Sequence, residues 1–230
     1  MFKKALVLTL FFLTSFINIG CQQQQHQSLT PSNDEERVLY SLGAIFGQRL
    51  EQLDLSDEDA DMLLQGLRDQ ITRQELALDP NQYQDKIAEV LQGRMENQAR
   101  AEKERGQAYL QQFVSDQGAE VTDSGLAYII EEAGEGDNPI PSDIVEVSYE
   151  GRLIDGTVFD ASDAPVTFPL NRVVAGWTEG LQKIAPGGKM TLVIPSDLAY
   201  GDTGFPPQIP GGATLVFDVE LHSVKSAEEE

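Results

Sequence analysis

The chain has 230 residues, with 16 basic and 38 acidic side chains and a formal net charge of −22. That length holds a globular domain of ordinary size plus a smaller element, and so acidic a surface repels phosphate backbones, which argues against a nucleic-acid partner. A single cysteine excludes an intramolecular disulfide.

The first segment differs from the rest. Lys3 and Lys4 precede the apolar run Ala5 to Leu13, and the segment closes Ile19-Gly20-Cys21. A charged start, a short apolar core and a small residue before the cut describe a secretory signal over residues 1–20, too short for a stable membrane span. Cys21 then has two readings. It looks like the acylated first residue of a bacterial lipoprotein, each buried methylene of such an anchor contributing about 0.8 kcal/mol. Alternatively cleavage falls nearby and the thiol is incidental, since Asn18 stands where such signals usually carry Leu. Residues 21–33, with the polar run Gln22 to Gln27, cannot bury a core and read as a flexible tether.

Ser32-Asn33-Asp34-Glu35 has the form of a capping box. Behind it Val38, Leu42, Ile45, Arg49 and Leu53 mark a helical stripe widened by Leu39, Phe46 and Leu50. Gly43 and Gly47 clear side chains from one face of that helix. A second helix is predicted from Asp57 to about Ile71, through Met62, Leu63 and Leu67. Two short helices bury little surface alone, so residues 34–80 are expected to form a helical dimerisation domain around a second copy of the chain.

Pro80 opens a long helical pattern over residues 81–116. It starts apolar, with Ile87, Val90, Leu91 and Met95, but Gln98 to Gln107 is charged and almost free of large apolar groups. A helix polar all round bridges solvent between domains, which makes this a linking helix. The other reading is a helix lying on its own domain.

After Gln117-Gly118 the period falls to two. Val145, Val147 and Tyr149 alternate with Glu146, Ser148 and Glu150, and Leu215, Phe217, Val219 and Leu221 alternate with Val216, Asp218, Glu220 and His222. Met190, Leu192 and Ile194 alternate with Lys189, Thr191 and Val193. Asp155-Gly156 is a hairpin signal of the kind in which both central residues take positive φ. With one short helix at Gly176 to Lys183, residues 117–226 are predicted as an α+β domain, a curved antiparallel sheet wrapped over a single helix. His222 falls on the outward phase and reads as a surface histidine; residues 227–230 are an acidic tail. No metal motif, nucleophile–base pair or phosphate loop is present, so any chemistry is that of a cavity without metal or cofactor.

The motifs Val147-Ser148-Tyr149-Glu150-Gly151, Asp155-Gly156-Thr157-Val158-Phe159-Asp160, Val173-Val174-Ala175-Gly176-Trp177, Leu198-Ala199-Tyr200-Gly201, Ile209-Pro210 and Thr214 to Leu221 follow one another in that order. Over about Thr122 to Val224 the sequence resembles the FKBP-type peptidyl-prolyl cis-trans isomerases. The helical region before it resembles the macrophage-infectivity-potentiator subgroup of bacteria, secreted or envelope-bound dimers joined through their N-terminal helices. The resemblance implies a proline pocket floored by Trp177 and walled by Tyr149, Phe159, Val173, Val174 and Phe217. Asp160, Tyr200 and Ile209 would sit at its rim, with Phe205 in an apolar flap above it. The Tyr200 hydroxyl and the backbone amide of Val174 would meet ligand carbonyls. Asp160 and Tyr200 are the expected catalytic pair, Asp160 as an orienting partner of Tyr149, with a purely structural role as its alternative.

Three departures from the family stand out, one of them Phe205, which stands where the eukaryotic archetype has a histidine. Val166, after the short Asp163-Ala164-Pro165 bulge, replaces a pocket aromatic and predicts a lower wall. Two residues are missing before Arg172. The resemblance further implies proline-containing unfolded or extended polypeptides as substrates, FK506- and rapamycin-type macrolides as competitors, a homodimer, and a place in the bacterial cell envelope, periplasmic or on the outer membrane. A rival of another class is a holdase or adhesion scaffold that grips proline segments without turnover.

Overall fold

The computed structural model describes residues 29–226. The expected signal segment, Cys21, most of the tether and the acidic tail therefore lie outside the described residues. Helix α1 runs Asp34–Gln48. Its cap sits one residue later than the predicted box. Asn33 Oδ1 accepts from the Glu36 amide at 3.0 Å, and the Glu36 carboxylate accepts from Ser32 N at 2.7 Å and Ser32 Oγ at 2.8 Å. Those bonds from Ser32 hold the Glu36 carboxyl below its usual range. The chain divides into two units, residues 1–41 and 42–230.

Helix α2, Asp57–Ile71, starts on a true capping box between Ser56 and Asp59. A 3-10 turn at Pro80–Tyr83 leads into α3, Gln84–Gln117. Arg94 of α3 fastens the turn before α2 by donating to the Leu53 and Asp54 carbonyls at 3.2 and 3.1 Å and to Asp59 Oδ2 at 2.9 Å. That guanidinium is the main reason the Asp59 carboxyl is held down. Neither α1 nor α2 buries a residue within one chain, and Phe46, Met62, Leu67 and Ile71 stand exposed.

Six strands form one antiparallel sheet, β1 (Glu120–Val121), β2 (Ala127–Glu132), β3 (Ile144–Leu153), β4 (Val158–Pro169), β5 (Lys189–Ile194) and β6 (Leu215–Lys225), in the order β1-β2-β5-β6-β3-β4. The short helix α4, Ala175–Leu181, packs on one face. Leu126, Val147, Leu181, Leu192, Leu215 and Leu221 are sealed between them.

The opposite face is covered as well. Ala127, Val193 and Val216 pack against Tyr109, Leu110, Phe113 and Val114 of α3. Hence β5 is buried from Met190 through Ile194 rather than alternating. The helix approaches closely because Gly106 lies against Thr214, where a Cβ would stand 2.8 Å from the Thr214 Cβ. Lys103, on the same side of α3, pairs with Asp197 at 2.8 Å and Asp202 at 2.6 Å. The polar stretch of α3 thus buries only small residues, Ala99 and Gly106, and sets Lys103 beside them against two aspartates.

Two local expectations are corrected. At Asp155-Gly156 only the glycine has positive φ, at 90°. The loop instead closes with Gly156 N donating to Leu153 O at 3.0 Å and Leu153 N to Thr157 O at 2.9 Å. Asp155 Oδ1 accepts from Thr157 N at 2.9 Å. This is the three-residue hairpin with one left-handed residue, not the two-residue turn. His222 is half-buried, with Nε2 2.9 Å from Ser148 Oγ on the neighbouring strand.

Candidate functional site

The register of β3 and β6 places Tyr149 beside Val219 and Gly151 beside Phe217, while β4 sets Asp160 opposite Gly151. The glycine is required there. A Cβ on it would lie 2.6 Å from Phe217 Cε1 and 2.8 Å from Phe159 Cζ, so its absence lets the two rings meet. They do so edge to face, with centroids 5.6 Å apart at 87°.

Trp177 enters from the first turn of α4. Its indole meets Tyr149 at 5.1 Å and 88°, Phe217 at 5.2 Å and 81°, and Phe168 at 5.9 Å and 89°. Such T-shaped contacts align ring edges with ring faces and add about 0.5–1.5 kcal/mol each beyond burial. The rings surround an open cavity of about 430 Å³, completed by Asp160, Arg172, Val173, Val174 and Tyr200. Trp177 is only 4% exposed, yet its Nε1–H has no hydrogen-bond partner among the described residues.

Asp160 is held in place by Tyr149, whose Oη donates to Oδ2 at 2.6 Å. Burial first, and then that carboxylate, push the Tyr149 phenol pKa well above its usual value. The phenol therefore stays protonated, a fixed donor to a fixed acceptor. Tyr200 is 40% exposed at the rim and leans on Phe205, with centroids 5.8 Å apart.

The cavity thus brings together Tyr149, Phe159, Asp160, Val173, Val174, Trp177, Tyr200 and Phe217. Phe205 does not line it; this ring is exposed and reaches the site only through Tyr200. Ile209 is also outside the lining, buried in the main core while its backbone pairs with Phe205 at 2.8 and 3.0 Å. Two lining residues were not foreseen. Phe168 stands against the indole and lines the cavity, whereas Val166 does not. Val166 packs into the core opposite Val147, and Phe168, two residues on and hence on the same face of β4, supplies the ring. Arg172, at the end of the 3-10 turn Leu170–Arg172, carries no pattern that would mark it.

Comparison with known proteins identifies the family. Residues 136–222 match the family of FKBP-type peptidyl-prolyl cis-trans isomerases, and residues 35–130 match the domain amino terminal to FKBP-type peptidyl-prolyl isomerase. The isomerase FkpA of Escherichia coli K12 is 39% identical over 210 residues, spanning 85% of this chain and 77% of that protein. The outer membrane protein MIP of Legionella longbeachae is 35% identical over 206 residues, 85% of this chain and 88% of its own. The crystal structure of E. coli FkpA superposes with a TM-score of 0.65 at 38% identity, over 86% of this chain and all of that one. The chain belongs to the FKBP-type peptidyl-prolyl cis-trans isomerases and is an enzyme of that class.

Proposed function

We propose that the aromatic cavity is where an Xaa-Pro bond rotates, and that it does so by desolvation and shape rather than by proton transfer. An Xaa-Pro amide is kept planar by resonance behind a barrier of about 18–20 kcal/mol. In the twisted transition state resonance is lost and the carbonyl oxygen carries less negative charge. Water, which solvates the planar dipole best, favours the wrong state. A water-poor pocket removes that bias, and only such differential stabilisation raises the rate. A millionfold acceleration needs about 8 kcal/mol.

The observation that carries this reading is the ring geometry. Trp177 forms an apolar floor with Tyr149, Phe168 and Phe217 edge-on around it, open to solvent on one side. The unpartnered indole N–H supports it too, since an unsatisfied buried donor costs about 1–3 kcal/mol that a bound acceptor can offset. Asp160 orients Tyr149 and polarises the turning carbonyl; Tyr200 binds a flanking carbonyl at the rim. The test is a protease-free isomerisation assay on an Xaa-Pro peptide. Asp160→Ala and Tyr200→Ala should each slow turnover several-fold or more with the circular dichroism spectrum unchanged, and full activity in both would remove this account. Rapamycin should compete for the same cavity.

The exposed apolar side chains of α1, α2 and the start of α3, among them Phe46, Leu67 and Leu91, support assembly into a homodimer through residues 34–80. Sedimentation should give a dimer, and a monomer would discard this. The same helices favour a holding activity toward unfolded chains, measured as aggregation suppressed as well by the slowed Tyr200→Ala protein as by the parent. Substrates are polypeptides of the bacterial cell envelope, a placement supported by the resemblance to an outer membrane protein. If Cys21 is the lipid anchor, Cys21→Ser releases the protein from membranes.

A further inference from the structure

Two charged side chains line the cavity, and they differ in how they are engaged. Asp160 already accepts from Tyr149. Arg172 is exposed at the cavity mouth, and among the described residues it makes no ion pair or hydrogen bond. Other described basic side chains, Arg49, Arg73 and Lys225 among them, also lack an ion pair, but Arg172 is the one that lines the cavity. Arg152 pairs with Asp218, Lys189 with Glu132, Arg94 with Asp59, and Lys103 with two aspartates. A guanidinium without a protein partner at the lining of the cavity is free for a ligand.

We propose that Arg172 is a specificity residue that favours substrates carrying an acidic residue next to the proline. The inference rests on the cavity being the prolyl site. Arg172 immediately precedes Val173 and Val174, which wall the cavity, so its backbone is fixed at the edge of the slot. With the proline ring on Trp177, the adjoining residues of the substrate lie about 3.8 Å along the chain on either side, within reach of a long side chain at the mouth. A guanidinium presents a planar fork that matches a carboxylate in two-point contact.

The protein's overall negative charge works against acidic substrates, but differently. Exposed charges farther than about 8 Å are largely screened at physiological ionic strength, so the general repulsion is weak beside a direct contact and is not tied to the position next to the proline. Arg172 rewards only a carboxylate placed beside the proline. Position separates the two effects.

The experiment measures kcat/KM on matched peptides with Glu or Gln immediately before the proline, immediately after it, or several residues away. It uses the full-length protein, Arg172→Gln and Arg172→Glu, each checked for fold by circular dichroism. Because each comparison is a Glu/Gln ratio within one protein, a general loss of activity cancels. The ratio for one adjacent position should be about two- to five-fold higher in the unsubstituted protein than in Arg172→Gln, the range a single exposed ion pair supports. It should fall further in Arg172→Glu, shrink at 1 M salt, and stay level for the remote Glu. Equal ratios across the three proteins at both adjacent positions, with Gln-Pro peptides turned over normally, would overturn the inference while leaving the prolyl site standing. Absence of turnover on every peptide would instead sink the site, and this inference with it.

Discussion

Gly106→Ala is the sharpest probe of how α3 meets the sheet. On an exposed helix surface that change stabilises by about 1 kcal/mol, because glycine is the costlier residue in a helix interior. Here Gly106 is buried, and its new Cβ would fall inside the van der Waals envelope of Thr214 Oγ1 and 2.8 Å from Thr214 Cβ. Thr214 is 4% exposed and sits just before β6, so it has little room to retreat. Overpacking of this kind costs about 1–3 kcal/mol, and the contact falls near the upper end. Net destabilisation is then about 1–2 kcal/mol, or roughly 2–8 °C in the thermal midpoint of a chain this size. Thermal unfolding followed by circular dichroism reads it. Adding Thr214→Ala removes the hydroxyl and should restore part of the loss, a coupling of about 0.5 kcal/mol or more. A midpoint that rises in Gly106→Ala would mean the helix stands clear of the sheet, and the two-sided burial argued above would be wrong.

Three other outcomes follow from the cavity. Tyr149 keeps its proton to higher pH in the folded chain than in the unfolded one; above about pH 10 the unfolded state therefore binds fewer protons, and stability should fall as pH rises. Absorbance titration should show Tyr149→Phe lacking a late-ionising phenol that the parent has, and an unchanged titration would contradict the burial. Phe168→Ala should destabilise by less than the roughly 3–5 kcal/mol of a fully buried ring, because Phe168 is half-buried, and should shift the emission of the sole tryptophan to the red as water reaches it. Gly151→Ala should cost about 1–3 kcal/mol and slow isomerisation by parting Phe159 from Phe217; normal stability and turnover would show that the rings adjust freely.

Much of this was legible in the residues, for reasons that can be named. Helix α2 begins at Asp57 because Ser56 and Asp59 form a reciprocal cap, and the apolar spacing behind them carries the helix to Ile71. The cavity residues were legible through the family resemblance, which the short motifs at turns and strand ends carry residue by residue. What escaped depended on distant partners. Val193 and Val216 sit on the outward phase of β5 and β6, where a solvated strand would carry polar groups. Their apolarity was the sign that something covers that face, and Tyr109 and Phe113 at the end of α3 were the matching apolar surface. Phe168 was missed because the pairing of β3 with β4 slips between Val147 and Tyr149, and a bulge decides which residue opposes the indole without leaving a mark in composition.

The Asp160–Tyr149 bond constrains what chemistry the proposed site can perform. A carboxylate free to take a proton would suggest acid–base catalysis, but this one is occupied by a phenol at 2.6 Å that burial and the carboxylate keep protonated. The remaining lining holds no histidine or cysteine, the side chains best suited to moving protons near neutral pH. What the cavity offers instead is a set of rings in edge-to-face contact around a space of about 430 Å³. Rigidity matters here because rotation about one bond changes shape more than charge, and a cage that relaxed with the substrate would stabilise planar and twisted forms alike. The rings that line the site also close the core: Phe217 and Trp177 are each at most 5% exposed and belong to the cluster that holds the sheet to α4. The site is stiff because the fold's own packing forms its floor, which is why a substitution behind the floor, at Gly151, should reach the reaction as surely as one in the lining, at Phe168.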